Sequence, residues 1–138
     1  MIKRYEAAPR VTVVAGELRQ VISNLLSNAL DVMSVGGRLG IAVRPSFDWR
    51  NPQRRGVRIS ITDTGPGIPR EFRHRLFEAF FSTKADFGTG LGLWVSKAII
   101  EKHGGSIRFH AWENGSTGTC FSIFLPADSA EEEASRVA

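Results

Sequence analysis

Three groups of residues in this sequence have types and spacings that could do chemistry. The first is a polar stripe. Set at 100° per residue, Glu17, Gln20, Asn28 and Asp31 all fall within about 40° of Asn24. Leu18, Val21, Ile22, Leu25, Ala29 and Val32 form the adjoining apolar face. Carboxamide and carboxylate oxygens beside a core-facing stripe suit Mg²⁺, which takes oxygen ligands and keeps waters for phosphates. A solvated helix face reads the same way. The second group is Ile61-Thr62-Asp63-Thr64-Gly65-Pro66-Gly67-Ile68. A carboxylate at a strand end can accept a hydrogen bond from a ligand amine, such as the exocyclic amine of adenine. The glycines that follow let the backbone approach closely. A tight turn would use the same residue types. The third is Gly88-Thr89-Gly90-Leu91-Gly92-Leu93, running into a helix. Its backbone N–H groups would lie at the positive end of the helix dipole, a phosphate site, unless the glycines serve as a hinge.

Rival signatures fail. Aspartic proteases also carry Asp-Thr-Gly, but they need two such carboxylates on a strand-built scaffold, and only one copy is present. The glycine spacing is Gly-x-Gly-x-Gly after a loop, not the dinucleotide fingerprint after a strand, and no P-loop is present.

The elements that must position these groups follow from periodicity. Residues 11–14 are a short β-branched run and 17–34 a long amphipathic helix stopped by Gly36-Gly37. Segments 38–44 and 57–62 alternate as strands around a polar hairpin loop, 45–56. A second helix is predicted over 69–77, with proline in its first turn. A third is predicted over 92–103, stopped by Gly104-Gly105. Strands at 106–112 and 119–125 complete the pattern. It predicts a two-layer α/β sandwich, a mixed sheet of about five strands with three helices on one face. Residues 1–10 read as a linker remnant, 11–127 as the domain and 128–138 as a flexible acidic tail.

Composition sets the outer bounds. A chain of 138 residues with 42% apolar and 23% charged residues is one ordinary globular domain. No apolar run nears the ~20 residues of a membrane span, and no signal-peptide layout is present. The expectation is a cytoplasmic chain. Cys120 is the only cysteine, which excludes an internal disulfide, and its apolar surroundings predict a core position. The last eleven residues sum to −3, so the first 127 carry +7 of the overall +4. Such a body calls for an anionic ligand or partner, and nucleic acid is the plainest candidate. No nucleic-acid-binding motif is present, however, and Arg50, Arg54 and Arg55 share one loop, so none is expected.

In order and spacing the motifs resemble the catalytic, ATP-binding domain of sensor histidine kinases. These belong to the superfamily that shares the Bergerat ATP-binding fold with gyrase B and the mismatch-repair ATPases. Asn24-Leu25-Leu26-Ser27-Asn28-Ala29 is similar to the family's asparagine box, and Asp63-Thr64-Gly65-Pro66-Gly67-Ile68 to its first glycine box. The stretch from Phe77 through Phe80 to Lys84 resembles the phenylalanine box, Gly88 to Leu93 the second glycine box, and Gly118-Thr119 with Phe121 the last motif. The resemblance covers residues 11–126. Phe80-Phe81-Ser82-Thr83-Lys84 and Asn28-Ala29-Leu30-Asp31 look more like the nitrogen- and oxygen-sensing kinases than the commonest type.

The resemblance implies that Asp63 binds the adenine N6 amine, with Gly65, Gly67 and Thr119 lining that end. It implies that Asn28, with Asn24, holds Mg²⁺ bridging the phosphates. Gly88, Gly90 and Gly92 would cradle phosphates at a short mobile lid, with Lys84 near them. Asp31, Ile68, Phe80, Thr89, Leu91 and Leu93 complete the expected nucleotide contacts. The implied function is transfer of the ATP γ-phosphoryl group to a histidine on a separate dimerisation domain. A response regulator receiver domain would then take it. The isolated domain is expected to be a monomer, from a homodimeric parent that could be membrane-anchored.

Two departures refine this. ATP hydrolases of the superfamily place a water-activating glutamate four residues before the Mg²⁺-binding asparagine. Asn24 stands there instead, and a carboxamide has no useful basicity. The same residue argues against the alternative, a free-standing anti-sigma-factor serine kinase. The acceptor histidine is also missing, since none precedes Glu17 and His74, His103 and His110 lie in the wrong places. All three read as surface or structural residues.

Overall fold

In the computed structural model, residues 2–5, 7–32, 37–65, 70–78, 92–111 and 118–128 are described. Five strands form one mixed sheet: β1 (Ile2–Tyr5), β2 (Leu39–Phe47), β3 (Arg55–Asp63), β4 (Ser106–Ala111) and β5 (Thr119–Pro126). Their spatial order is β1-β2-β3-β5-β4. Only the β1–β2 pairing is parallel, and the other three are antiparallel. Two α-helices, α1 (Ala15–Val32) and α2 (Gly92–Lys102), cover one face. This is the expected α/β sandwich.

The helices meet the sheet through period-matched apolar faces. Val21, Leu25 and Ala29, each one turn apart, are buried on α1. They pack with Ile99 and Ile100 of α2 against Ile59, Ile61, Phe121, Ile123 and Ile107. The end of α2 is a Schellman-type stop. Gly104, at φ +77°, donates to Glu101 O, and the Gly105 N–H reaches back to Ile100 O at 2.9 Å.

Local signals misassign several stretches. Residues 2–5, expected as linker, form β1, whose pairing with β2 joins residues nearly forty positions apart. The β-branched run 11–14 is not a strand, because no neighbouring strand takes its backbone groups. Val14 N–H instead donates to His103 Nε2 at 3.0 Å and Val14 O accepts from Leu18 N–H, while just before the run Arg10 O accepts from Asp128 N–H. Val11 and Val13 still pack on the core. The second helix is a short 3-10 segment, Arg70–Arg75, so the described residues hold two α-helices rather than three. Cys120 is half-buried on the sheet face away from the helices, not in the core. His103 is structural as expected, with its Nδ1 2.8 Å from Ile99 O.

The β2–β3 hairpin turns on Asp48, which is 4% exposed. Its N–H donates to Arg54 O, its Oδ1 accepts from Arg50 N–H, and Arg54 Nη1 lies 3.4 Å from its Oδ2. Burial raises its pKa, but the Arg50 N–H and the Arg50 and Arg54 charges outweigh that and hold the carboxyl below its ordinary 3.8. A lowered folded pKa means the stabilisation is whole above the unfolded value and is lost as pH falls through the folded one. Asp48→Asn should therefore lower stability by about 1–3 kcal/mol at neutral pH. In denaturant titrations the gap from wild type should narrow below pH 4. An equal gap at pH 3 would show that the charge is not responsible.

Candidate functional site

Register and helix direction bring the polar groups to one end of the sandwich. Leu39, Asp63, Thr119 and Ala111 are aligned across β2, β3, β5 and β4, so together they form one rim of the sheet. The two helices run antiparallel. Lys102 Nζ binds the Glu17 carboxylate at 2.6 and 3.0 Å, while Asn24 meets the opposite end of α2. The part of α1 beyond Asn24, which carries Asn28, therefore projects past the start of α2 toward that rim.

Asp63 is the most constrained residue there. It ends β3, is 4% exposed, and has no cation within ion-pair distance among the described residues. Its Oδ2 accepts from Thr119 Oγ1 at 2.6 Å and its Oδ1 from Gly65 N–H at 2.9 Å. A tight Asx turn explains the Gly65 bond. It does not explain a buried carboxylate whose partners among the described residues are all neutral donors, which is costly unless a further donor uses it. Thr119, also 4% exposed, is held against it by sheet register. Gly118, at φ +131°, lets β5 start there, since a Cβ at that position would collide with Asp63 O. The turn is pinned from the far side too: Thr64 N–H donates to Arg38 O, and Arg38 N–H to Thr64 Oγ1 at 2.8 Å.

Asn24 has a structural role that its spacing did not reveal. Its Nδ2 donates to Gly92 O and Ser96 Oγ, both at 3.3 Å, and Ser96 Oγ in turn donates to Gly92 O at 2.7 Å. The carboxamide thus ties α1 to the N-terminal turn of α2, leaving its Oδ1 as an acceptor. Ser96, fully buried, is a site-supporting residue that no sequence pattern singled out. Asn28 lies one turn further along α1 and is half-buried. Glu17, part of the polar stripe, is instead engaged with Lys102.

The remaining expectations divide. Gly92 opens α2 and Leu93 packs partly on the core. Phe77 packs edge-on against Phe121 at 6.4 Å, partly buried against the core. Asp31 is helical, but its side chain lies outside the described set. Gly67, Ile68, Phe80, Lys84, Gly88, Thr89, Gly90 and Leu91 lie outside the described residues. Among the described residues no three His, Cys, Asp or Glu side chains cluster as a metal cage. The carboxamide oxygens of α1 suit a cation shared with phosphates instead.

Residues 14–129 match the model of the histidine kinase-, DNA gyrase B- and HSP90-like ATPase family. The chain is 36% identical over 124 residues to the sensor histidine kinase ZraS of Klebsiella oxytoca, covering 90% of this chain and 25% of ZraS. It therefore spans about a quarter of that relative. The solved catalytic domain of histidine kinase ThkA superposes with a TM-score of 0.70 at 32% identity, over 91% of this chain and 78% of that one. Full-length ShkA, solved in complex with AMPPNP, gives 0.63 at 29% identity, over 93% and 26%. The chain thus belongs to the histidine kinase-, DNA gyrase B- and HSP90-like ATPase family, as a homologue of sensor histidine kinase catalytic domains.

Proposed function

We propose that this chain binds ATP with Mg²⁺ and supplies the catalytic half of a sensor histidine kinase. It would transfer the γ-phosphoryl group to a histidine on a separate dimerisation domain, from which a response regulator aspartate takes it. The observation that carries this reading is the buried Asp63 carboxylate, held by Thr119 and Gly65 at the rim toward which Asn28 projects. In this reading Asp63 accepts the adenine N6 amine. Its two fixed contacts orient the carboxylate before ligand arrives, so little ordering entropy is lost on binding. AMPPNP in the ShkA complex is an ATP analogue, which supports a nucleotide here.

The Oδ1 atoms of Asn24 and Asn28 would hold Mg²⁺ at the phosphates. The ion would supply charge neutralisation of the transferring phosphoryl oxygens. The start of α2 orients its N–H dipoles toward the same anion, and the Asn24 amide fixes that helix end relative to α1. A neutral acceptor imidazole attacks phosphorus through its unprotonated nitrogen, an N–P bond forms, the bond to the ADP oxygen breaks, and the proton on the other ring nitrogen passes to solvent or to the acceptor domain. No base from this chain is needed, which agrees with a carboxamide at position 24. The chain's contribution is positioning and electrostatics. Lys84 and the glycines 88, 90 and 92 would add phosphate contacts. No helix among the described residues is long and apolar enough to cross a membrane.

Incubation with γ-labelled ATP tests the reading. The chain alone should neither label itself nor hydrolyse ATP appreciably. With a histidine-bearing dimerisation domain supplied in trans, that partner should acquire acid-labile, alkali-stable label. Acid-stable label would instead favour the serine-kinase alternative, and vigorous hydrolysis would contradict the role of Asn24.

A further inference from the structure

The face of the sheet turned away from the helices is basic, and nucleotide binding does not use it. Register places Arg44 beside Arg58, followed by Phe124 and Ser106, in one row across β2, β3, β5 and β4. The next row runs Arg4, Ala42, Ser60, Ser122 and Arg108 from edge to edge. Arg4, Arg44 and Arg108 are exposed and Arg58 is half-buried. The one acidic residue of the described strands, Asp63, lies on the opposite face with Ile61. Ion pairs among the described residues use other cations, Arg50, Arg54, Arg75, Lys97 and Lys102, so no described carboxylate neutralises these four. Directly opposed like charges destabilise a strand pair, so Arg44 beside Arg58 is a cost that an anion would relieve.

The face is ordered as well as charged. Trp49 packs on Phe124 with ring centroids 6.3 Å apart. The Arg58 and Arg108 guanidiniums sit 5.8 and 4.9 Å from the centre of the Trp49 ring. Stacking orders these planar forks in advance, and carboxylates match them bidentately. Arg58 Nε is buried without a hydrogen-bond partner, a desolvation that an anion at the same guanidinium would offset. The middle of the second row is small, with Ala42, Ser60 and Ser122, so a docked element can lie close to the sheet there. Nucleic acid fits less well. Phe124 is fully buried, and the Trp49 ring is taken up by Phe124 and two arginines, so these aromatics offer bases no free platform.

We propose that this face docks an acidic helix of a partner protein. Helices α1 and α2 cover the other face of the sheet, and a helix laid on this one completes a third layer. The row from Arg4 to Arg108 crosses four strand spacings, about 19 Å. At 1.5 Å per residue that is about 13 residues of helix, between three and four turns. Carboxylates along one side of such a helix meet the arginines at both margins, with the Arg44–Arg58 pair beside its path. Opposite potentials across the contact fix the orientation and speed the encounter. Asp63 and the two helices lie on the other side of the sheet, so a partner docked here leaves the nucleotide site open. ATP and the acidic helix therefore bind independently.

The experiment titrates the full chain with an alanine-based peptide of about 20 residues carrying glutamates along one helical face, long enough to hold a helix. NMR shifts should concentrate at the Trp49 indole and at Arg44, Arg58 and Arg108, and the glutamine counterpart of the peptide should produce none. R4Q/R44Q/R108Q removes exposed charges only, so the fold is kept while affinity should fall by about tenfold or more. K3Q/R10Q/R19Q removes the same net charge elsewhere and should change affinity less than about twofold. ATP affinity should be the same with and without the peptide. Equal losses in the two variants would reduce the effect to net charge and overturn the proposal. Shifts that fall elsewhere on the domain would do the same. So would a single-stranded oligonucleotide of equal charge that binds these arginines more tightly than the peptide, which would make the face a nucleic-acid surface.

Discussion

Asp63→Asn is expected to reduce ATP affinity at least about 100-fold, or about 3 kcal/mol, without unfolding the domain. Asparagine keeps the volume and can still accept from Gly65 N–H or Thr119 Oγ1 through its carbonyl. What changes is the atom left for the ligand. One oxygen becomes an NH₂ group, so two donors would confront each other where the proposed pose sets a charged acceptor against the N6 amine. Hydrogen bonds to charged groups contribute about 1.5–3 kcal/mol, and a buried donor left unmatched adds a further penalty. Calorimetry measures the loss, and circular dichroism checks the fold. Inosine triphosphate sharpens the test, because it replaces the N6 amine with an oxygen. Wild type should prefer ATP strongly, and Asp63→Asn should erase most of that preference. A preference for ATP that survives the substitution would place the amine against some other group.

Asn28→Ala is expected to leave nucleotide binding largely independent of Mg²⁺ and to slow phosphoryl transfer by about 10²-fold or more. Asn28 is half-buried on a helix whose core face is built by Val21, Leu25 and Ala29, so truncation removes the oxygen proposed to hold Mg²⁺ without opening the core. ATP affinity measured with and without Mg²⁺ reads the first effect. Single-turnover labelling of a supplied dimerisation domain reads the second. An Asn28→Ala variant whose ATP affinity still rises with Mg²⁺ would remove Asn28 from the assignment. The Asn24→Ala variant should behave differently. It loses the bonds to Gly92 O and Ser96 Oγ as well, so the start of α2 should loosen and binding should weaken even without the ion.

Most of the elements were legible because their local signals agree with their burial. Helix α1 shows an unbroken 3.6-residue pattern, and β2 and β3 alternate with a period of two. The glycine pair after α2 is a stop signal that depends only on backbone sterics. Two elements were not legible. The four residues Ile2–Tyr5 carry no alternation to read, and their strand exists only because the distant edge of β2 offers ladder bonds. Residues 11–14 have strand composition, yet no described strand pairs with them and Val14 N–H goes to the distant His103 Nε2. Cys120 was misplaced for a related reason. An apolar run in a strand has two faces, and only the register with Thr62 and His110 says which one turns from the helices.

By itself, the sequence determined which residues could meet a nucleotide: a carboxylate at a strand end, carboxamides one helical turn apart, and glycines before a helix. Motif order depends on covalent spacing alone, and a helix or a strand end imposes its geometry within a few residues. Only the tertiary structure decided how these residues are held. Asp63 and Thr119 stand 56 positions apart in the chain, and sheet register alone brings the hydroxyl onto the carboxylate. The Asn24 tie to α2, the Glu17–Lys102 pair and the arginine rows of the open sheet face arise the same way. Each depends on how elements distant in sequence are packed, and local residue preference carries no information about that packing.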